Sequence, residues 1–143
     1  MHTVLEFPFE AKDPWAYRVP ENARIGTLPC HFGPYMVPVE DRIYSLMREF
    51  CPEYDGGCWE FYELSNGGFF MTPPMEECTL SIRSNGYEGT VSGAAAGIVV
   101  CLFAYSLLGL RYPEVATLSK HFRWLREFAL DHPEAREIWA AID

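Results

Sequence analysis

The sequence predicts an α+β fold: a single compact domain in which a small antiparallel β-meander of three to four strands packs with about four helices, behind an extended N-terminal arm rich in proline and aromatic residues. Three observations lead there. A chain of 143 residues accommodates one core, and dividing it would leave two that are too small. The composition, 49% hydrophobic with 15% aromatic, supplies ample apolar surface and excludes a disordered chain. The hydrophobic period then changes in order along the chain, from a proline-broken start, through short alternating runs, to long helical stretches.

The arm covers 1–38 and holds six of the eleven prolines (Pro8, Pro14, Pro20, Pro29, Pro34 and Pro38). Each fixes φ and removes a backbone donor, which favours extended chain with a short turn. The arm also carries Phe7, Phe9, Trp15, Tyr17, Phe32 and Tyr35, so it is expected to wrap the domain and plug aromatics into grooves. Residues 39–143 then form the α+β domain. Its first helix runs from Val39 to Cys51, with Val39, Ile43, Leu46, Met47 and Phe50 at helical spacing between two prolines. Cys58 to Leu64 is aromatic-rich and reads as a strand. Asn66-Gly67 offers two residues tolerant of positive φ, which predicts a type I′ turn into a returning strand, Phe69-Phe70-Met71. Cys78 to Arg83 alternates strictly between apolar and polar, and Asn85-Gly86 turns it into Tyr87 to Val91.

Ser92 is a good N-cap for a long apolar helix ending near Gly109. Pro113 opens a further helix to about Leu130, with Phe122, Leu125, Phe128 and Ala129 as its buried stripe. Asp131-His132-Pro133-Glu134 has the form of a capping box, with proline in the permitted first turn of a last short helix that turns Ile138, Trp139 and Ile142 inward. The stretch Gly93 to Leu110 has 18 residues without a charge, the length of a membrane span. Its glycines, alanines, Ser106 and Tyr105 dilute that apolar character and favour a buried central helix, so no membrane association is expected.

Charge narrows the function classes. The net charge is −9, from 20 acidic and 11 basic residues. Duplex DNA binding needs clustered Lys and Arg, so direct binding of that kind is not expected. Most of the acidity lies in 40–88, where ten acids face three bases. Five cysteines (Cys30, Cys51, Cys58, Cys78 and Cys101), with no CxxC pair and no signal-peptide layout at the N-terminus, fit reduced thiols and a cytoplasmic location.

Catalytic constellations are thin. His2, His31, His121 and His132 have no partner at metal-ligand spacing, and Cys30-His31 are adjacent, which rarely lets one side chain activate the other. No catalytic residue, cofactor or metal site is expected, and the chain reads as a non-enzyme. The competing class is a small cytosolic Cys- or metal-dependent enzyme whose site is dispersed in sequence. The candidate interaction surface is acidic: Glu60, Glu63, Glu88, Asp131 and Asp143. Each has a plainer role beside it. Glu60 and Glu63 fall on opposite faces of an ideal strand, Asp131 suits a helix cap, Asp143 is a solvated end, and Trp59 and Phe61 alternate toward a core.

The run Tyr54-Asp55-Gly56-Gly57-Cys58-Trp59-Glu60-Phe61-Tyr62-Glu63-Leu64-Ser65-Asn66-Gly67-Gly68-Phe69-Phe70-Met71 is less generic. It resembles the ArdB/KlcA antirestriction family, whose hallmark is a Gly-Gly, aromatic-Trp, acidic, Phe-Tyr-Glu-Leu hairpin closing on Asn-Gly-Gly-Phe. The likeness continues through Asn85-Gly86-Tyr87-Glu88-Gly89, Ala94 to Val99, Leu125 to Ala135 and Ala140 to Asp143, in the family's order over about 35–143. Cys58 stands where Tyr or Phe is more usual, a departure that touches packing. The resemblance implies an α+β inhibitor of type I restriction-modification endonucleases, carried on plasmids and other mobile elements, without a cofactor. Its implied partner is the type I complex, met directly or through its DNA-translocating state, so that incoming plasmid or phage DNA is protected by non-catalytic binding.

Overall fold

In the computed structural model, which describes residues 3–4 and 14–143, the most apolar stretch of the chain takes the centre. The elements are β1 (Thr3–Val4), β2 (Ala16–Arg18), α1 (Thr27–Phe32), α2 (Met36–Phe50), β3 (Glu60–Leu64), β4 (Phe69–Thr72), β5 (Glu77–Ile82), β6 (Tyr87–Ser92), α3 (Gly93–Arg111), α4 (Ala116–Leu130) and α5 (Ala135–Ile142). Helix α3 is long and apolar enough to cross a membrane, but two-thirds of its apolar window is buried. It packs on α2, α4, α5 and β4. Apolar side chains all around a helix find partners only where neighbours surround it. Ser92 caps it as the sequence indicates, its Oγ accepting the Ala95 N–H at 3.1 Å.

The α+β class holds, with the strands divided between two antiparallel sheets, β1-β2-β3-β4 and β5-β6. The expected single meander breaks after β4. Pro73 and Pro74 offer no N–H to a ladder, and the Met75 N–H folds back onto the Pro73 carbonyl at 2.8 Å before pairing resumes. Strand β4 is buried at all four residues. Phe69 meets Phe61 and Phe32 on one face, while Phe70 stacks between Tyr62 and Phe128 on the other.

Within the N-terminal segment, Ala16–Arg18 is extended and pairs with β3, whereas Glu21–Tyr35 coils into successive 3-10 and α-helical turns. Prolines explain the difference. Pro29, Pro34 and Pro38 fall in or near the first turns of their helices, where a missing N–H removes no internal bond. Helix α2 consequently starts at Met36, ahead of Val39. Phe32 is buried and Trp15, Tyr17 and Tyr35 are half-buried; Phe7, Phe9 and His2 lie outside the described residues.

The β3–β4 turn is also corrected. Gly67 has φ +106°, but among the described residues none other than glycine has a positive φ, so Asn66 does not take the type I′ conformation. The Gly67 N–H reaches the Leu64 carbonyl at 3.0 Å, and the Leu64 N–H reaches the Gly68 carbonyl at 2.9 Å. These bonds close a three-residue loop of type I turn plus glycine bulge. Asn66 is needed elsewhere: its Nδ2 donates to the Trp124 carbonyl at 2.9 Å and to Glu127 at 2.8 Å, tying the turn to α4. A Gly67→Val protein is expected to lose about 1–3 kcal/mol, the range for a β-branched residue forced to positive φ. A urea midpoint equal to the parent's would overturn this account of the turn.

Candidate functional site

The five acidic residues singled out above do not converge. Glu60 opens β3, 3.5 Å from Arg18, with both side chains nearly half exposed, so the pair contributes little. Glu88 is exposed on β6. Asp131 closes the C-terminus of α4, and α5 begins only after Glu134, with no side-chain cap. The expected capping box is therefore absent because its members have other partners. His132 Nδ1 accepts the Glu134 N–H at 3.0 Å. The Glu134 carboxylate turns to the start of α3, where it accepts the Ser92 N–H at 2.9 Å and the Ser92 hydroxyl. Asp143 follows α5, exposed, its N–H bonded to the Trp139 carbonyl at 3.1 Å.

Glu63 is different. It shares a face of β3 with Phe61, and its carboxylate lies 2.9 Å from His31 Nε2, with both side chains largely buried. His31 comes from α1, the segment whose helical turns the sequence does not announce. Its ring packs edge-on against His121 of α4, with centroids 4.9 Å apart, and tilts over Phe69 at 5.2 Å. Phe32, Tyr105 and Trp124 complete the surround. Tyr105 is fully buried and donates to the Phe69 carbonyl at 2.5 Å. His121 is 1% exposed, and its Nδ1 has no hydrogen-bond partner among the described residues. Burial, and secondarily the neighbouring His31, push its pKa down to about 3, so the ring is neutral at physiological pH.

This cluster joins α1, β3 and α4 through an imidazole–carboxylate pair, but its chemistry is limited. The buried thiols of Cys78 and Cys101 are both pushed up to about 12, chiefly by desolvation, which leaves almost no thiolate to act as a nucleophile. Cys30 and Cys58 are exposed. Among the described residues no group of three or more His, Cys, Asp or Glu side chains is arranged to hold a metal ion. The sequence missed the pairing of His31 with Glu63 because 32 residues separate them. The one available signal was that Glu63 alternates in phase with Phe61, toward the core.

Comparison with known proteins gives a consistent result. Residues 52–143 match the family model described as antirestriction protein. The chain is 43% identical over 130 residues to the uncharacterized protein YafX of Escherichia coli K12, covering 87% of this chain and 85% of that one. It is 40% identical over 133 residues to the antirestriction protein KlcA of Escherichia coli, covering 87% and 92%. A solved structure matches with a TM-score of 0.83 and 38% identity over 96% of this chain and all of the other. That structure belongs to work on KlcA and ArdB, described as showing a novel fold and antirestriction activity against type I DNA restriction systems in vivo but not in vitro.

Proposed function

The chain belongs to the antirestriction protein family, and from that premise we propose that it protects incoming plasmid or phage DNA by inhibiting type I restriction-modification endonucleases in the cytoplasm, through non-catalytic binding. The likeness to the KlcA and ArdB structure carries this reading, since it extends over nearly the whole chain at 38% identity. Charge supports a protein partner over a bare duplex, because a chain with net charge −9 repels the phosphate backbone. The target on this reading is the restriction complex, met directly or in its DNA-translocating state. The exposed carboxylates of Glu60, Glu88, Asp131 and Asp143, spread over the surface, would offer it separate contact points, while Glu63 acts from within by fixing α1 against β3.

The test is the plating of unmodified phage on hosts with and without an active type I system, with this protein expressed. Plating is expected to rise only where the system is active, and modification of DNA should fall less than cleavage if inhibition acts during translocation. Equal plating with and without the protein, at confirmed soluble expression, removes the proposal. The competing class is a small Cys- or metal-dependent enzyme, and its Cys-dependent form is separated by the exposed thiols: Cys30→Ala and Cys58→Ala keep full protection in a binding protein, whereas an enzyme using either thiol loses it.

A further inference from the structure

The β5–β6 ribbon carries an unpaired edge whose polarity follows from its register. Glu76 and Gly93 continue the pairing, and the Gly93 N–H donates to the Glu76 carbonyl at 3.0 Å. Antiparallel pairs alternate between bonded and non-bonded, so Cys78, Leu80 and Ile82 direct their backbone groups toward β6. Glu77, Thr79 and Ser81 direct theirs away. Two further contacts agree with this parity. Ser92, opposite Glu77, sends its N–H out of the ladder to Glu134. Thr79 and Thr90 bring their hydroxyls within 3.1 Å, as the closer side chains of a non-bonded pair allow.

On β6 the outward Ser92 N–H is thus taken up by Glu134, and α5 docks beside it through Tyr87 with Glu137 and Asn85 with the Ala141 carbonyl. On β5 the outward N–H and C=O groups of Thr79 and Ser81 have no protein partner among the described residues. Thr79 and Ser81 also line a cleft of about 310 Å³, together with Pro52, Glu53, Leu80 and Glu88. Among the described residues two carboxylates and no base line it.

We propose that this cleft receives an extended segment of a partner protein, which adds to the free edge of β5 as a third strand and presents Lys or Arg side chains to Glu53 and Glu88. Backbone bonds to Thr79 and Ser81 supply the affinity common to strand addition, and the carboxylate pair selects a basic segment. A second copy of this chain is a poorer occupant, because edge-to-edge pairing would bring Glu53, Glu77 and Glu88 of both copies together. The inference rests on the antirestriction reading and names the surface through which it acts.

Phage plating on a type I host tests it with four variants, each checked by urea midpoint. Ser81→Pro removes the outward N–H, and the ladder bonds of Cys78, Leu80 and Ile82 stay intact. Ser81→Ala keeps that N–H and discards the hydroxyl. Glu53→Arg with Glu88→Arg reverses the cleft's charge, and Glu21→Arg with Glu114→Arg makes the same change elsewhere. At parent-like midpoints, Ser81→Pro is expected to lose protection at least tenfold relative to Ser81→Ala, and the cleft double variant at least tenfold relative to the parent, while the distant double variant keeps it. If Ser81→Pro does not fold, the two double variants decide. Full protection by a folded cleft double variant overturns the proposal and leaves the antirestriction reading standing, whereas failure of the parent itself to protect overturns both. A parent that sediments as a dimer which Ser81→Pro dissociates makes a second copy the occupant and overturns the basic-segment assignment.

Discussion

Gly97→Ala is expected to destabilise the protein by about 3 kcal/mol, the upper end of what overpacking costs. The sign is opposite to what a helix interior ordinarily gives, where alanine in place of glycine gains about 1 kcal/mol. In α3 a Cβ at position 97 would stand 2.2 Å from the Met71 carbonyl oxygen and 2.9 Å from the Thr72 Cα. Both are backbone atoms of β4, buried on both faces, so no flexible side chain can yield. The contact brings α3 close against β4, and relieving it would move the helix away from Phe69, whose carbonyl holds the Tyr105 hydroxyl. Gly109 in the same helix serves as the control. A Cβ there meets only the Leu118 Cβ at 4.0 Å, so Gly109→Ala should be neutral or gain up to about 1 kcal/mol. Urea midpoints of the two variants decide the matter, and a Gly97→Ala midpoint at or above the parent's would show that the close approach is absent.

Acid is expected to weaken the fold through His121. Its pKa falls from the ordinary value of 6.5 when unfolded to about 3 in the folded protein, mainly by burial and then by His31. The unfolded chain thus takes up a proton that the native state refuses, so stability is full above about pH 6.5 and drains away as pH falls toward 3. Linkage makes the loss about 2 kcal/mol between pH 7 and pH 5. The groups around the ring are His31 from α1, itself held by Glu63 of β3, and the neutral Tyr105, Phe32 and Trp124. A His121→Phe protein keeps a ring of similar size and has nothing to titrate. Its stability relative to the parent should shift in its favour by about 2 kcal/mol between pH 7 and pH 5. The comparison cancels the carboxylates that both proteins share. A relative stability that does not change with pH would mean that the ring is charged or solvated in the native state.

His121 also explains why the buried stripe of α4 differs from the one its apolar spacing predicts. The apolar spacing of this helix predicts Phe122, Leu125, Phe128 and Ala129 as its buried stripe. The structure buries Leu118, His121, Leu125 and Ala129 and leaves Phe122 and Phe128 at the boundary, where Phe128 stacks on Phe70. A neutral imidazole packed among aromatic rings can occupy a core position, and only its neighbours reveal that it does. The same holds for Glu63, a carboxylate kept inside because His31 arrives from a distant helix. Local preference suits Asn66 to a positive-φ turn, and its bonds to α4 decide otherwise.

Taken alone, the sequence determined what depends on near neighbours and on composition. The alternation in Cys78–Ile82, the Ser92 cap, the helical spacing of Val39 to Phe50 and the apolar character of α3 all express periods of two or 3.6 residues, which local backbone geometry imposes. The ordered family blocks belong to the same class, since they are read directly from residue order. Tertiary structure decided where groups far apart in the chain had to satisfy one another. It split the strands at Pro73-Pro74, coiled Glu21–Tyr35 against the core, drew Glu134 away from its own helix to Ser92, and matched His31 to Glu63. Buried polar groups need partners, and whether those partners lie three residues away or forty is fixed by packing, which no local period records.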